Sequence, residues 1–445
     1  MSRRYLILGM GPAGLSAAET IRALDTTADI LLVSDDAYGY YSRPGLAYYL
    51  TGELRDDALY PFTEQDFRER DLRRLQASAV ALHPGSHQLE LQDGRRLDYD
   101  RLLLATGSLA FKPPLPGIDL EGVVKLDDMA DAQEIVERCR RARTGVVVGG
   151  GITALELVEG LHARRVHTRY FLRSERYWGN VLDEAESQIV ERRLQERGVE
   201  IDFHTEVEEI LGRKGHVAAV RTVDGRTVEC DLVAVAIGVR PRLKLARSAD
   251  LELDRGILVD EHLQSSAAGV FAAGDVAQVY DPVSGRAVLD TLWGVAVSQG
   301  RVAGTNMAGG SESYVKGVPF NVTRLAELTT TIIGAVGSGR GGSRDDDLVG
   351  IARGDSETWR HREDAVVVQD EFEVNRVRLL VSGQAIAGAI VMGDQTLSRP
   401  LQQLVAGQVD ISPIRDQLLQ PDAPLGDLVH GFWTRWRSSD ATSEH

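Results

Sequence analysis

Short apolar runs that end in glycine-rich turns are the most regular pattern in this chain. Residues 5–8 form such a run, and its uniform hydrophobicity is typical of a parallel strand buried on both faces. Glycine recurs in the loop at residues 9–14, and apolar residues then follow at helical spacing as far as Leu24. A second apolar run at 30–33 is followed by two aspartates. The pattern therefore predicts a strand, a glycine loop, a helix and a second strand.

The same pattern returns in the middle of the chain. Residues 146–148 predict a buried strand, residues 149–154 are rich in glycine, and residues 155–162 have one apolar helical face. Residues 170–172 predict the strand that follows. An internal repeat of this unit predicts an α/β fold with two Rossmann-like dinucleotide-binding domains.

Further apolar runs set the expected domain boundaries. Residues 102–107 and 233–238 each predict a strand that ends in a glycine turn, and a proline-rich linker at 113–117 follows the first turn. Residues 270–275 predict a return to the first domain. The expected domains are 1–112 with 240–317, and a second domain at 113–239 inserted within the first.

After residue 317 the pattern changes to alternating strands, as in 377–381. This change predicts a C-terminal α+β domain at 318–420. Within it, residues 338–347 are rich in glycine and aspartate and predict a flexible loop. The tail at 421–445 is weakly patterned, apart from three aromatic residues that we expect to be buried against the same chain, with a helix that binds a partner as the alternative. These are Phe432, Trp433 and Trp436.

Composition narrows the class of partners. The chain has 445 residues and a net charge of −16, and this acidity disfavours binding to nucleic acid. No apolar run reaches the length of a membrane-spanning helix, and the first residues lack the apolar centre of a signal peptide. Cys139 and Cys230 form neither a zinc motif nor a redox pair, so we expect reduced thiols, no metal site and a cytoplasmic protein.

The first glycine loop has the spacing of a dinucleotide-binding motif. Gly9 permits a tight turn, Gly11 lets the backbone approach a pyrophosphate, and Gly14 lets the helix pack closely on the strand. The helix that begins at Pro12 and Ala13 would direct its amides at the phosphates. Asp35, after the second strand, could bind an adenosine ribose. A glycine turn in an ordinary α/β domain is the alternative, and the second copy of the motif weakens it.

Four motifs in a fixed order carry a family resemblance: the two glycine loops, the Ala105–Thr106–Gly107 turn and the Gly274–Asp275 turn. Over roughly residues 1–310 they resemble the FAD-dependent pyridine nucleotide-disulfide oxidoreductases of the glutathione-reductase fold. The resemblance implies FAD at the first loop and a nicotinamide dinucleotide at the second. It implies that Asp275 bonds the ribityl hydroxyls of FAD. The turns that it places against the cofactors comprise Ala105, Thr106, Gly107, Gly238 and Gly274.

The segment from Tyr41 to Leu46 selects a branch of this family. Relatives that reduce disulfides or peroxides have a catalytic cysteine here, whereas this chain has Pro44, which offers no thiolate. The segment instead resembles the branch of rubredoxin reductases, ferredoxin reductases and the nitrite reductase flavin domain. In that branch the arginine contacts FAD, so Arg43 is a candidate contact, with a solvated surface charge as the alternative.

The second glycine loop comprises Gly149, Gly151, Ile152 and Thr153. Glu156 on the following helix matches a family glutamate near the nicotinamide and flavin, and we expect it to orient the nicotinamide. An ordinary helix-face carboxylate is the alternative. Arg173 and Arg176 follow the next strand and favour the 2′-phosphate of NADPH, while Glu175 leaves NADH open.

Trp293 begins a segment that resembles the family helix running past the flavin ring. It could shield one flavin edge, or it could be a buried core tryptophan. The resemblance implies that hydride passes from NAD(P)H to flavin and that electrons then pass to rubredoxin or a ferredoxin. Alternatives are an oxidase or diaphorase acting on quinones or oxygen, and a slow redox-sensing or structural subunit. A homodimer is also possible.

Overall fold

The computed structural model describes residues 2–337, 366–372, 375–421 and 423–443. The loop predicted at 338–347 lies outside these residues. The described residues form two compact units. The first comprises residues 2–173 and 205–316, and the second comprises Ser174–His204 and the described residues from Gly317 onward.

The helices and strands follow in chain order, beginning with the first unit. The first stretch contains β1 (Arg4–Leu8), α1 (Pro12–Leu24), β2 (Asp29–Ser34), α2 (Gly45–Thr51), α3 (Glu64–Glu69), β3 (Arg73–Gln76), β4 (Ala79–His83), β5 (Gln88–Leu91), β6 (Arg96–Asp98), β7 (Arg101–Leu104) and β8 (Ser108–Ala110). The next contains β9 (Val123–Val124), α4 (Met129–Cys139), β10 (Thr144–Val148), α5 (Ile152–Ala163), β11 (His167–Phe171), α6 (Glu184–Glu196), β12 (Glu200–Asp202), β13 (Val207–Arg213), β14 (His216–Thr222), β15 (Thr227–Glu229), β16 (Leu232–Val235) and β17 (Val239–Pro241).

The remaining elements complete both units. Those up to residue 316 are α7 (Lys244–Ser248), β18 (Ile257–Leu258), β19 (Val270–Ala272), β20 (Ala277–Asp281), β21 (Arg286–Val288) and α8 (Trp293–Met307). Those after it are β22 (Phe320–Leu325), β23 (Leu328–Gly334), β24 (Val366–Phe372), β25 (Asn375–Ser382), β26 (Ala385–Met392), α9 (Ser398–Ala406), α10 (Ser412–Leu418) and α11 (Leu425–Ser443).

A parallel sheet with the strand order β19-β7-β1-β2-β3 forms the base of the first unit. Helix α1 connects β1 to β2, as the first apolar pattern predicts. Tyr5 and Ile7 pack on one side of the sheet, and Leu6 and Leu8 pack on the other. Because both faces are covered, the strand is apolar throughout, and each fully buried aliphatic side chain contributes about 1.5–3 kcal/mol.

A second parallel sheet in the same unit contains β11, β10, β16 and β9 as successive neighbours. Helix α5 connects β10 to β11, so the mid-chain repeat is also confirmed. All four strands lie in the chain between β7 and β19, which are themselves neighbours in the first sheet. Strands β8 and β17, which pair antiparallel, carry the chain out and back. The predicted fold class, two Rossmann-like domains with one inserted in the other, is confirmed.

The second unit contains an antiparallel sheet with the order β22-β23-β26-β25-β24. Helices α9, α10 and α11 pack on it, so the α+β character predicted for the C-terminal region is confirmed. The weakly patterned tail forms α11. Its Phe432 is buried, and Trp433 and Trp436 are partly buried in the core of the same unit, as expected.

A buried ion network also holds the second unit together. Arg378 on β25 donates through Nε to Oε1 of Glu186 at 2.8 Å, and Arg376 donates to Oδ2 of Asp183 at 2.8 Å. Asp183 and Glu186 form a capping box at the start of α6. Burial raises the pKa of the Glu186 carboxyl, and the Arg378 guanidinium opposes that shift. Helix α6 is thereby joined to the C-terminal sheet by charge as well as by packing.

Candidate functional site

The first glycine loop connects β1 to α1, and at two of its positions the backbone leaves no room for a side chain. Gly9 has φ of +114°, and a Cβ there would lie 2.1 Å from the Ala105 carbonyl oxygen. A Cβ on Gly14 would lie 2.1 Å from the Gly9 carbonyl oxygen. At Gly11 a Cβ would meet no atom within 4 Å, so space for a ligand remains above the loop. Helix α1 begins at Pro12 without a side-chain cap, which leaves its first amides available to an anion.

The Asp275 turn lies against the same loop and is held from two sides. Gly274 has φ of +77°, and its amide donates to Oε1 of Gln299 on α8 at 2.7 Å. Ser108 on β8 donates its hydroxyl proton to Oδ2 of Asp275 at 2.6 Å. A Cβ added to Gly274 would be 3.2 Å from the Cβ of Ala13 in the first loop. The structure thus brings together motifs that are far apart in the sequence.

Helix α8 reaches this position because glycines let it approach α1 closely. A Cβ on Gly300 would be 2.2 Å from the Ala13 carbonyl oxygen, and one on Gly304 would be 2.7 Å from the Ala17 carbonyl oxygen. Backbone contact of this kind leaves no room for a larger residue. The packing of α8 therefore fixes where α1 begins.

Two glycine turns connect the sheets next to the first loop. Gly107, after Ala105 and Thr106, has φ of +66°, and Gly238 has φ of +131°. The amide of Phe111 donates to the Gly238 carbonyl oxygen at 2.9 Å. The two turns that the sequence singles out therefore lie at the two ends of the β8 and β17 pair.

Arg43 lies in a cluster of charges at the carboxyl edge of the first sheet. It donates to the backbone oxygen of Asp127, and its NH2 lies 3.6 Å from Oδ2 of Asp36. Burial would lower the pKa of Arg43, but Tyr41, Asp127 and Asp36 raise it above its ordinary value. Its side chain is only 30% exposed, which weighs against a solvated surface charge. Asp35, which directly follows β2, is exposed.

Arg242 belongs to the same cluster, and the sequence reasoning missed it. Its amide donates to the Gly107 carbonyl oxygen at 2.9 Å, and Thr106 donates to its carbonyl oxygen at 3.4 Å. Its guanidinium lies 4.0 Å from Oδ2 of Asp35 and 3.8 Å from Oδ2 of Asp127. The signal available in the sequence was an arginine four residues after the Gly238 turn.

Pro44, where the resemblance places the cysteine of thiol-dependent relatives, occupies the N-cap position of α2 and makes no side-chain cap. Helix α2 packs on α5, because a Cβ on Gly160 would already lie 2.8 Å from the Leu50 Cβ. Arg164 donates to the carbonyl oxygens of Leu50 at 2.7 Å and Tyr49 at 2.9 Å, which caps the end of α2. The helix is thus held in place by α5.

Both cysteines are free and buried. Burial raises the pKa of the Cys139 thiol to about 11 and that of the Cys230 thiol to about 12. Both thiols are therefore expected to be protonated at neutral pH, which disfavours either one as a substitute for a cysteine at position 44.

The second glycine loop repeats the geometry of the first. Gly149 has φ of +148°, and a Cβ there would lie 2.1 Å from the Ala236 carbonyl oxygen. Gly151 precedes α5, which begins at Ile152 without a side-chain cap. The Thr153 hydroxyl in the first turn of α5 is buried and has no hydrogen-bond partner among the described residues. An orphaned donor at an uncapped helix start fits a dinucleotide phosphate or ribose.

Glu156 and Trp293 are the residues predicted to act beside the flavin. Glu156 lies half-buried on α5, in the turn after Thr153. Trp293 is the first residue of α8 and is 37% exposed, which disfavours a core tryptophan. Its ring centroid lies 6.3 Å from that of Tyr40, which in turn contacts Phe62 at 5.6 Å.

The two arginines predicted to select NADPH differ in their surroundings. Arg173 is the last residue of its segment of the first unit and is exposed. Arg176 belongs to the second unit, where it pairs with Glu175 at 2.9 Å and donates to the Gly179 carbonyl oxygen at 3.1 Å. Arg173 is therefore the more accessible of the two arginines to a ligand.

No group of histidine, cysteine, aspartate and glutamate suited to a metal ion occurs in the part of the chain that the structure describes. Within the same residues, no helix is long and apolar enough to cross a membrane.

Comparisons with known proteins give the chain relatives over most of its length. Residues 3–300 match the family described as pyridine nucleotide-disulphide oxidoreductase. An NADH oxidase of Methanocaldococcus jannaschii is 30% identical over 335 residues, 73% of this chain and 74% of that protein. An NADH-rubredoxin oxidoreductase of Clostridium acetobutylicum is 26% identical over 430 residues, 96% of this chain and 100% of that protein.

A solved structure shares the fold over almost the whole chain. It is the covalent complex of putidaredoxin reductase with putidaredoxin, with a TM-score of 0.83 and 23% identity over 96% of this chain and 98% of that one. The family resemblance that the glycine loops and turns indicated is confirmed.

Proposed function

This chain belongs to the pyridine nucleotide-disulphide oxidoreductase family, and we propose that it passes electrons from NAD(P)H through FAD to a small iron–sulfur carrier. It is an FAD-dependent NAD(P)H oxidoreductase. The observation that carries the proposal is the pair of glycine loops that lead from parallel strands into uncapped helices, combined with Pro44 in place of a thiol. Electrons then have no disulfide to pass through and leave from the flavin.

FAD fits the first loop because Gly11 leaves open space beside the uncapped start of α1. Asp275 is fixed by Ser108 and still has a second carboxylate oxygen for a ribityl hydroxyl. We propose that the following residues hold FAD: Gly9, Gly11, Pro12, Ala13, Gly14, Asp35, Arg43, Pro44, Ala105, Thr106, Gly107, Gly238, Gly274 and Asp275.

The nicotinamide dinucleotide fits the second loop, where the Thr153 hydroxyl lacks a partner among the described residues. We propose that Gly149, Gly151, Ile152 and Thr153 hold its phosphates and that Glu156 orients its nicotinamide. Bound FAD supplies the redox chemistry, since flavin takes up a hydride and can release electrons singly. The residues of the chain contribute position and charge. On this basis we propose that FAD binds the domain formed by 1–112 and 240–317. We propose that NAD(P) binds the domain formed by 113–239.

A carrier assay tests the proposed acceptor. The FAD-loaded protein is mixed anaerobically with NAD(P)H and either a rubredoxin or a [2Fe–2S] ferredoxin, and reduction of the carrier is followed by its absorbance. We expect at least one carrier to be reduced at least tenfold faster than a benzoquinone in the same assay. Failure to reduce any carrier would contradict the proposal.

An oxidase is the second candidate, because a relative that is 30% identical is named NADH oxidase. It predicts rapid NAD(P)H consumption in air without a carrier, which an oxygen electrode measures directly. A slow redox-sensing or structural subunit predicts neither activity. Stopped-flow bleaching of the flavin separates that third reading, since its reduction would then be slow even at saturating NAD(P)H.

We propose that NADPH is the preferred electron donor, because the exposed side chain of Arg173 can bind its 2′-phosphate. Replacing Arg173 by alanine is expected to lower kcat/KM for NADPH at least tenfold and to leave that for NADH within twofold. Exposed Glu175 supports the competing preference for NADH. A wild-type preference for NADH, unchanged in the variant, would refute the role of Arg173.

We further propose a homodimer and a cytoplasmic enzyme. The two free buried thiols suit a reducing compartment. Light scattering after size-exclusion chromatography measures the first property, and cell fractionation measures the second. A monomer at micromolar concentration would contradict the proposed homodimer. Recovery of the protein outside the cytoplasmic fraction would contradict the proposed location.

A further inference from the structure

We propose that Arg242 is a further FAD-binding residue, which closes the first glycine loop and donates to the diphosphate of the cofactor. The inference rests on the proposed FAD site. Nothing in the motifs of the sequence assigns a ligand to this arginine, which directly follows β17.

Arg242 extends across the ends of three neighbouring strands. Its backbone is fastened to Gly107, which follows β7, and its guanidinium reaches Asp35, which follows β2. Strand β1 lies between β7 and β2 in the sheet and leads into the glycine loop. Neighbouring strands are about 4.8 Å apart, so the side chain spans the carboxyl end of β1. A ligand held at the start of α1 would therefore lie within reach of this guanidinium.

The Arg242 guanidinium keeps its donors free for a ligand. Within the described residues its nearest carboxylate oxygens, on Asp35 and Asp127, are 4.0 and 3.8 Å away, which exceeds hydrogen-bond length. The side chain is 32% exposed, so solvent or a ligand can reach it. An arginine with uncommitted donors beside an uncapped helix start suits a phosphate, which binds guanidinium groups in a bidentate way.

Several charged side chains surround Arg242. Asp127 has a side chain that is only 1% exposed, and Arg43 binds its backbone oxygen. Lys125 pairs with Asp131 at 2.6 Å and lies 4.0 Å from the Asp127 carboxylate. Arg43 and Arg242 thus both lie among the acids of this edge, and both could offset the charge of an incoming diphosphate.

The test compares matched variants of the FAD-free protein. FAD is titrated into wild type, Arg242→Ala, Arg242→Gln and Arg240→Ala, and binding is read from the change in flavin fluorescence. Arg240 is the control, since it lies two residues earlier on β17 and stacks on Phe111 at 3.8 Å. We expect the Kd for FAD to rise at least tenfold in both Arg242 variants and to stay within twofold in Arg240→Ala. An unchanged Kd in a folded Arg242 variant would overturn the inference.

A double variant separates ligand contact from simple neutralisation of Asp127. If Arg242 only offsets that buried carboxylate, Asp127→Asn combined with Arg242→Ala restores the wild-type Kd, and the inference is overturned. If Arg242 contacts the diphosphate, the double variant stays at least tenfold weaker than Asp127→Asn alone. Wild-type protein that takes up no FAD would instead refute the proposed function, which the titration of wild type shows separately.

Discussion

Gly9 and Gly11 lie two residues apart, yet the structure constrains them for different reasons. Gly9 is forced by a positive φ and by the nearby Ala105 carbonyl oxygen. A Cβ at Gly11 would meet no protein atom within 4 Å, so the fold itself does not require glycine there, and the proposed FAD contact would explain it. Spacing in the sequence identified both residues, but it did not distinguish a requirement of the fold from a requirement of the cofactor.

Alanine at each position separates these two requirements. We expect Gly11→Ala to leave the unfolding free energy of the FAD-free protein unchanged and to weaken FAD binding at least tenfold, because its methyl group enters ligand space. Gly9→Ala should lower that unfolding free energy by about 2 kcal/mol or more, because backbone must move. Urea unfolding and FAD titration measure the two effects. Equal destabilisation by both substitutions would contradict this assignment.

The buried thiols give a pH-dependent prediction at the same scale. With pKa values raised to about 11 and 12, Cys139 and Cys230 have a thiolate fraction of only about 10⁻³ or less at pH 8. Iodoacetamide should therefore leave both unmodified in the folded protein, and labelling should rise only as pH approaches 11. Mass spectrometry of folded and urea-unfolded samples measures this. Rapid labelling of the folded protein with loss of activity would show that a thiol takes part.

Side-chain pairs far apart in the chain were not predictable from the sequence. Arg378 and Glu186 are 192 residues apart, and no local pattern links them. Arg242 was missed for the same reason, since its importance lies in Asp35 and in a glycine turn from another part of the chain. By contrast, Asp275 was found because a motif carries it, and the structure places it beside the first loop.

At the scale of elements, the contact between α1 and α8 decides how the first loop is held. Gly300 and Gly304 bring the two backbones together, and Gln299 fixes the Asp275 turn from the same helix. The parallel strands were predictable because burial on both faces makes them uniformly apolar. Helix α11 was not, because its apolar positions are few and its core forms only with α9 and α10.

A pair of glycines on α8 tests this contact. Gly300→Ala places a methyl group 2.2 Å from the Ala13 carbonyl oxygen, so we expect the unfolding free energy to fall by about 1–3 kcal/mol and FAD affinity to fall with it. Gly294→Ala, on the same helix, meets no atom within 4 Å and should be neutral or slightly stabilising. Similar effects of both substitutions on thermal unfolding would argue against close packing as the cause.

At the scale of the molecule, the described residues divide into two compact units. Both glycine loops and the Asp275 turn belong to the first unit. The buried ion network of Arg376 and Arg378 belongs to the second. Cofactor binding and the ion network should therefore act on different parts of an unfolding curve.

We expect two unfolding transitions in calorimetry. FAD at a hundred times its Kd should stabilise the first unit by about 2.7 kcal/mol. It should raise the transition temperature of that unit and leave the transition temperature of the second unit unchanged. Arg378→Met should lower the unfolding free energy of the second unit by about 3–5 kcal/mol and so lower its transition temperature, since it leaves Glu186 buried without its partner. The surface variant Arg399→Met serves as the control. A single transition that responds to both changes would show one cooperative unit instead.

Pro44 also sets how many electrons one molecule can hold. A relative with a thiol at this position can store a second pair outside the flavin, whereas here both thiols are buried and remain protonated. Each hydride brings two electrons, and a one-electron carrier removes one at each visit. If the proposed carrier is the acceptor, two carrier molecules must therefore be reduced for each hydride that the protein accepts.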